Sequence, residues 1–223
     1  MRERILVFTS WAAIFAAMAA MIIGHTGATG LTPLAHQIST YAATAPHQDW
    51  ITAGMLLPSV ALGAIGMLIS GHRLLGDSWL AHVAPLLAGA AAAGLLTLAA
   101  FKESAPTMAA LKGASLDAII QQSIHNAGLM IFFYSTVLLI LLCGGLTVAR
   151  APAWLGRLAG VAAIALALAA EPLMVTHWPH ALGIEGTSYG LQQRVSLASL
   201  WLAAALILLA ARPPALAWLR ATP

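Results

Sequence analysis

The chain has 223 residues, of which 61% are hydrophobic and only 8% are charged, and its net charge is +3 at pH 7. That balance excludes an ordinary soluble domain, because several apolar runs are long enough to cross a hydrocarbon layer of about 30 Å. We expect the lipid bilayer to be the partner of these runs, and we expect no nucleic-acid partner.

The apolar runs predict helices. Backbone polar groups must be satisfied inside each membrane-crossing segment, and the runs are too long and too evenly apolar for barrel strands. We therefore predict an all-α integral membrane bundle of six transmembrane helices, forming a single domain over residues 1–223. The predicted spans are about 5–23, 51–70, 80–101, 122–148, 158–175 and 191–211.

A polar connection between residues 24 and 50 follows the first span and holds His25, His36 and His47, with no Lys or Arg. Connections of this length without secondary structure of their own tend to be functional or disordered. The apolar and small residues in this one argue against disorder. We expect it to fold back over the bundle and to bring His36 and Ser39 to a polar site.

Small residues in the second and third spans predict close helix packing rather than a site. Gly63 and Gly66 lie in the second span, and Gly89 and Gly94 bound four alanines in the third. Such residues let neighbouring backbones approach closely within a membrane.

The distribution of positive charge predicts the orientation. With six spans, seven of the ten Lys and Arg residues fall at one end of the bundle: Arg2, Arg4, Arg73, Arg150, Arg157, Arg212 and Arg220. Lys102, Lys112 and Arg194 fall at the other end. Both termini are then cytoplasmic, and the connection 24–50 is outside.

The fourth span begins with a patterned polar face. Ser115 can cap a helix that continues into the membrane, and Asp117, Gln121 and His125 follow on one helical face. A carboxylate, an amide and an imidazole would then point into one region. The same pattern fits a helix that enters the membrane with its polar face on water, and both interpretations stay open.

An acidic residue lies inside the fifth span. Glu171 is about 21 Å along the helix from Arg157, at 1.5 Å per residue. An ionisable group there needs a partner or a proton. We expect Arg194, at the head of the sixth span, to be that partner, either in a functional site or in a buried ion pair that holds two helices together.

The histidines of the outer face suggest a metal site. His177 and His180 would aim together if their segment were helical, although Pro179 argues against a helix. His36, His125 and one of that pair would suffice in number for zinc, which favours His ligands backed by carboxylates. Interfacial histidines in an aromatic belt are the alternative. We expect His36 and His125 to face one another in an outward-open cavity.

Three motifs together resemble a known family. They are Leu34-Ala-His36-Gln-Ile-Ser39-x-Tyr41, Ile124-His125-Asn-Ala-Gly128 and Gly190-Leu-Gln-Gln193-Arg194-Val195. In order and spacing over nearly the whole chain they resemble the bacterial six-helix membrane family catalogued as domain of unknown function 998. The resemblance implies that a polar face is formed by His36, Ser39, His125, Gln193 and Arg194.

The chain departs from that family at two places. Glu103-Ser-Ala-Pro106 stands where the family often has Asp-Pro, and Gln121 stands where it often has a second His. Both departures weaken a metal assignment, and the family name implies no reaction.

Three functions fit these observations. The first is an outer-face site that binds or acts on a lipid-like or small substrate, by metal-assisted or acid–base chemistry. Its candidate catalytic residues are His36, Ser39, Asp117, His125, Glu171 and Arg194, and its candidate metal ligands are His36, His125, His177 and His180. The second is a haem b protein with axial histidines. The third is a non-catalytic accessory subunit of a larger membrane complex. For all three we expect a multi-pass protein of a bacterial plasma (inner) membrane.

Overall fold

The computed structural model describes residues 2–27, 30–32, 38–71, 80–104, 113–151, 154–174 and 189–210. These residues form seven α-helices and no strand. The helices are α1 (Arg2–Gly24), α2 (Ile38–Thr44), α3 (Gln48–Gly71), α4 (Leu80–Ala100), α5 (Leu116–Arg150), α6 (Trp154–Met174) and α7 (Tyr189–Ala210).

Six of the described helices, all except α2, are long and apolar enough to cross a membrane. The predicted all-α fold with six spans is thereby confirmed. Five of the six long helices begin before their predicted spans, and the difference is largest for α5 and α6. Helix α5 starts at Leu116 because Ser115 caps it, its side chain accepting a hydrogen bond from the Ala118 amide at 3.3 Å. Helix α6 starts at Trp154 rather than near residue 158.

The first connection differs from its prediction, because it contains the short helix α2. Ile38, Ser39, Tyr41 and Ala42 are buried on one side of it. Its first amide, that of Ile38, donates to Gln193 Oε1 of α7 at 2.6 Å. A side chain from another helix thus satisfies a donor that a helix N-terminus leaves unpaired. The described part of the connection that lies over the bundle is this helix, α2.

Consecutive spans run antiparallel. Met21 near the end of α1 lies against Gly54 near the start of α3. Leu6 near the start of α1 packs against the cluster of Ile65 and Leu208, near the ends of α3 and α7. The same alternation continues through the bundle, where Ser196 near the start of α7 bonds to the Ala170 carbonyl near the end of α6. One end of the bundle therefore holds α2, the ends of α1, α4 and α6, and the starts of α3, α5 and α7. We call it the α2 end.

Helices α4 and α5 approach most closely at glycines. A Cβ atom added to Gly94 would lie 2.5 Å from the Phe132 amide nitrogen and 2.7 Å from the Gly128 carbonyl oxygen. Gly66 similarly faces Ala88, whereas a Cβ on Gly63 or Gly89 would meet no described atom within 4 Å. One glycine of each predicted pair therefore makes the close contact. The Gly94 contact brings the start of α5, with His125, against the end of α4.

Candidate functional site

A cavity of about 60 Å³ lies at the α2 end. All the described helices except α6 contribute to its wall. Three polar side chains line it, those of Ser39, His125 and Gln193. The rest of the lining is glycine, proline and large apolar residues: Met21, Ile38, Gly54, Met55, Pro58, Leu95, Leu98, Leu129, Phe132, Leu197 and Trp201. We call this space the first cavity.

His125 is held in one orientation by the end of α4. Its side chain is only 4% exposed, and Nδ1 lies 2.7 Å from the Phe101 carbonyl oxygen. A carbonyl can only accept, so Nδ1 carries the proton and donates. In the neutral ring Nε2 is then the acceptor. The imidazole therefore bonds through one nitrogen to the residue that follows α4, and His125 lines the first cavity.

The polar face of α5 serves mainly to hold the chain that follows α4. Gln121 Nε2 donates to the Lys102 carbonyl at 2.9 Å, one residue beyond the bond made by His125. The first residue of the predicted face, Asp117, is exposed. Gln121 and His125 thus act together as predicted from their spacing, but their shared target is backbone carbonyls beyond a helix C-terminus.

Gln122 and Ser104 extend this attachment, and the sequence pattern did not single them out. Gln122 Oε1 accepts from the Ser104 amide at 3.0 Å, and the Ser104 hydroxyl donates to the Ala118 carbonyl at 2.7 Å. The connection after α4 is therefore bonded to α5 by both side chain and backbone. Gln122 is nearly fully buried, and a buried side-chain amide needs hydrogen-bond partners.

Two further bonds tie the connection after α4 to the first half of the bundle. Thr40 Oγ1 of α2 donates to Glu103 Oε2 at 2.9 Å. Lys102 Nζ donates to Gln48 Oε1, at the start of α3, also at 2.9 Å. The α2 end is thus closed by polar contacts that link α2, α3 and the connection after α4.

A second polar group joins α1, α2 and α7 beside the first cavity. The His25 and Tyr41 rings lie 4.3 Å apart, and the Arg194 guanidinium lies 5.3 Å from the centre of the Tyr41 ring. Arg194 donates to His25 Nε2 at 2.5 Å and to the Gly190 carbonyl at 2.8 Å. We call His25, Tyr41 and Arg194 the aromatic–arginine cluster.

His25 in this cluster is a neutral imidazole. Nδ1 lies 2.5 Å from the Met21 carbonyl oxygen and must donate to it, so Nε2 is free to accept from Arg194. Burial lowers the pKa of His25, the Met21 carbonyl acts in the opposite direction, and the charge of Arg194 lowers the pKa further. Neither His25 nor Tyr41 was predicted from the sequence to belong to the site. The signal was present, because Arg194 needed a partner and His25 ends the first span at the same face.

The expected ion pair between Glu171 and Arg194 is absent from the part of the chain that the structure describes. Helix geometry supplies the reason. Ser196 faces α6, where its hydroxyl donates to the Ala170 carbonyl at 2.8 Å. Two residues correspond to about 200° of rotation at 3.6 residues per turn, so Arg194 points away from α6 and toward α1 and α2.

The metal predictions fall largely outside the described residues. His36, His177 and His180 are not described, so the expected approach of His36 to His125 stays a prediction. Among the described ranges, no group of three or more His, Cys, Asp or Glu side chains is placed to hold a metal. Nor do these ranges offer a second buried histidine within a span to pair with His125 for haem. Ser39, by contrast, does lie with His125 in one cavity wall.

Comparison with known proteins identifies the family. No curated protein and no solved structure matches the chain. The sequence profile of a protein family described as "Protein of unknown function (DUF998)" matches residues 11–212. That range holds all but the first turns of α1 among the described helices. The chain, which has six helices able to span a membrane among its described residues, therefore belongs to the DUF998 family.

Proposed function

We propose that the protein binds a small or lipid-like molecule in the first cavity, with the polar group of the ligand at Ser39, His125 and Gln193. The observation that carries the proposal is the composition of the wall, three polar side chains at one side of an otherwise apolar space. Ligand sites are commonly concave and mostly apolar, with a few polar groups that fix orientation.

The hydrogen bonds already made in the wall limit the chemistry of that polar group. Gln193 Oε1 accepts from Ile38, so its amide nitrogen is the part that can serve a ligand. His125 uses Nδ1 at Phe101 and offers Nε2 as an acceptor. A ligand group that both donates and accepts, such as a hydroxyl or a carboxylic acid, fits these two partners.

Acid–base chemistry at His125 is the version of this function that the described residues support. An imidazole fixed by one nitrogen and presenting the other has the arrangement of a general base. A metal-assisted version would need His36, His177 or His180 beside His125. The acid–base version needs no residue outside the described ranges.

We further propose that the α2 end faces outward from a bacterial inner membrane. The support is the excess of Arg at the opposite end of the bundle, where α1 begins, α5 ends and α6 begins. Short loops on the cytoplasmic side carry such an excess. A ligand would then enter from the outer leaflet or from the outer aqueous phase.

Native mass spectrometry of gently extracted protein tests the proposal. Leu98→Trp fills the first cavity, since Leu98 lines its wall. Leu96→Trp on the same helix adds equal bulk at a side chain that is 50% exposed. We expect a co-purified amphiphile on the wild type and on Leu96→Trp, and none on Leu98→Trp.

His125→Asn supplies a second variant in case Leu98→Trp does not fold. The asparagine amide can still donate to Phe101, but nothing replaces Nε2, so the bound amphiphile should be lost while the melting temperature stays near that of the wild type. An identical adduct on all four proteins would overturn the proposal. Zinc on the wild type that His125→Asn releases would replace acid–base chemistry with the metal-assisted version.

A further inference from the structure

A second cavity continues the first toward the opposite end of the bundle. Its volume is about 20 Å³. On α3 the lining passes from Pro58 to Leu62, and on α5 it passes from Phe132 to Thr136. Four residues of helix correspond to about 6 Å along the axis. The two cavities therefore follow one another along the bundle axis.

Trp201 is the wall that the two cavities share. Its side chain lines both of them. It lies on α7, which also contributes Gln193 to the polar side of the first cavity and Ala204 to the second. The indole therefore stands between a polar-ended space and a deeper one.

The second cavity is apolar throughout. Its one hydroxyl, on Thr136, donates to the Phe132 carbonyl at 2.7 Å and is turned toward its own helix. The other lining residues are aliphatic or aromatic, apart from the Cys143 thiol. Polarity thus falls along the axis, from Ser39, His125 and Gln193 to a space whose wall exposes no nitrogen or oxygen atom to a ligand.

We propose that the two cavities form one elongated site for a single-chain amphiphile, and that Trp201 limits the length of chain it accepts. This inference rests on the proposed function. A hydroxyl or carboxylic acid head fits the polar side of the first cavity, and an alkyl tail fits the apolar space beyond Trp201. A water-sized group needs about 10–15 Å³, so the first cavity holds several such groups and the second only one or two. A tail longer than the first cavity must therefore displace the indole.

The test uses hexanol, decanol and tetradecanol as probes of purified protein in lipid nanodiscs. Trp201→Ala joins the two cavities, and Ala204→Phe fills the second. Leu202→Phe is the matched control, because the Leu202 side chain is 53% exposed and lies on the same helix. Each probe partitions equally into the nanodiscs of every variant, so affinities are compared as ratios to the wild type.

We expect Ala204→Phe to weaken decanol and tetradecanol by about fourfold for each methylene it excludes, the factor that one buried methylene represents, and to leave hexanol unchanged. Trp201→Ala should strengthen tetradecanol relative to hexanol. Leu202→Phe should change neither ratio. A diazirine at the methyl end of decanol should label the second-cavity segment of α5, and one beside the hydroxyl should label Met55 or Leu129.

The outcomes separate this inference from the proposed function. If neither diazirine labels a cavity residue, the first cavity is not an amphiphile site and both proposals fail. If the diazirine beside the hydroxyl labels the first cavity but chain-length ratios do not respond to Ala204→Phe or Trp201→Ala, the proposed function stands and the elongated site is wrong.

Discussion

At the scale of single residues, the two described histidines of the site use the same tautomer for the same purpose. His25 and His125 each donate from Nδ1 to a backbone carbonyl, that of Met21 and that of Phe101. The Met21 carbonyl also accepts from the His25 backbone amide. Phe101 lies just beyond the end of α4, where carbonyls lack a partner within the helix, and the His125 imidazole supplies one. Both rings then present Nε2 inward, to Arg194 in one case and at the first cavity in the other.

The neutral state of His25 predicts a pH-dependent stability. Burial holds the pKa of His25 below its ordinary value of 6.5, so below pH 6.5 the unfolded chain binds a proton more readily than the folded one. The stabilisation is present above that pH and is lost as the pH falls through it. We expect the melting temperature in detergent to decline on acidification below 6.5.

His25→Gln is the control for that decline, because its amide oxygen can still accept from Arg194 but does not titrate. Its melting temperature should fall less steeply with pH than that of the wild type. Equal slopes for the two proteins would show that another group is responsible.

The bond from His125 to Phe101 predicts a difference between two substitutions. His125→Leu removes the buried donor to the Phe101 carbonyl. This change should lower the free energy of unfolding by about 1–3 kcal/mol. His125→Asn keeps a donor near the position of Nδ1 and should lower it by less. Thermal or denaturant unfolding in detergent measures both, and equal losses would contradict the bond.

At the scale of helices, the backbones of α4 and α5 approach each other closely at glycines. This approach rests on Gly94 and Gly128, and the bonds from Gln121, Gln122 and His125 lie about one to two turns before Gly128 along α5. Within a membrane, contact between small residues substitutes for the hydrophobic driving force that water would supply. The polar bonds then fix the register that the glycines permit.

Alanine substitutions at the two ends of the α4 glycine pair should differ sharply. In Gly94→Ala the new methyl group would meet the α5 backbone at 2.5 Å, so the helices must separate, and we expect a loss of about 1–3 kcal/mol. Gly89→Ala meets no described atom within 4 Å and should be neutral or slightly stabilising. Melting temperatures of the two variants give the comparison, and similar values would argue against the close approach.

At the scale of the whole molecule, the antiparallel order gathers the polar side chains at the α2 end. The sequence predicted this gathering from the alternation of six spans. It could not predict α2, because a seven-residue helix is stable only through partners such as Gln193, 155 positions along the chain. The predicted pairing of Arg194 with Glu171 also depended on packing that residue spacing does not show. Position along two helices was readable from spacing, but the face that each side chain presents depends on how the helices rotate as they pack.

The proposed orientation predicts opposite accessibility at two exposed positions, Thr44 at the α2 end and Trp154 at the other end. Single cysteines are placed there in a Cys143→Ala background, since Cys143 is itself a buried thiol. A membrane-impermeant maleimide added to intact cells should label Thr44→Cys and spare Trp154→Cys until the cells are opened. The reverse pattern would place the first cavity on the cytoplasmic side.

The long-range bonds of α7 have a consequence for how the protein is made. Gln193 reaches the Ile38 amide and Arg194 reaches His25, so α2 and the end of α1 depend on the last described span. Chains emerge from the ribosome with the N-terminal part first, and the pairings between α1 and α3, α3 and α4, and α4 and α5 can form as each span enters the membrane. The contacts that hold α2 and His25 beside the first cavity form only after α7 is inserted. In a nascent chain that lacks α7, the earlier helices can therefore be packed while the first cavity is still incomplete.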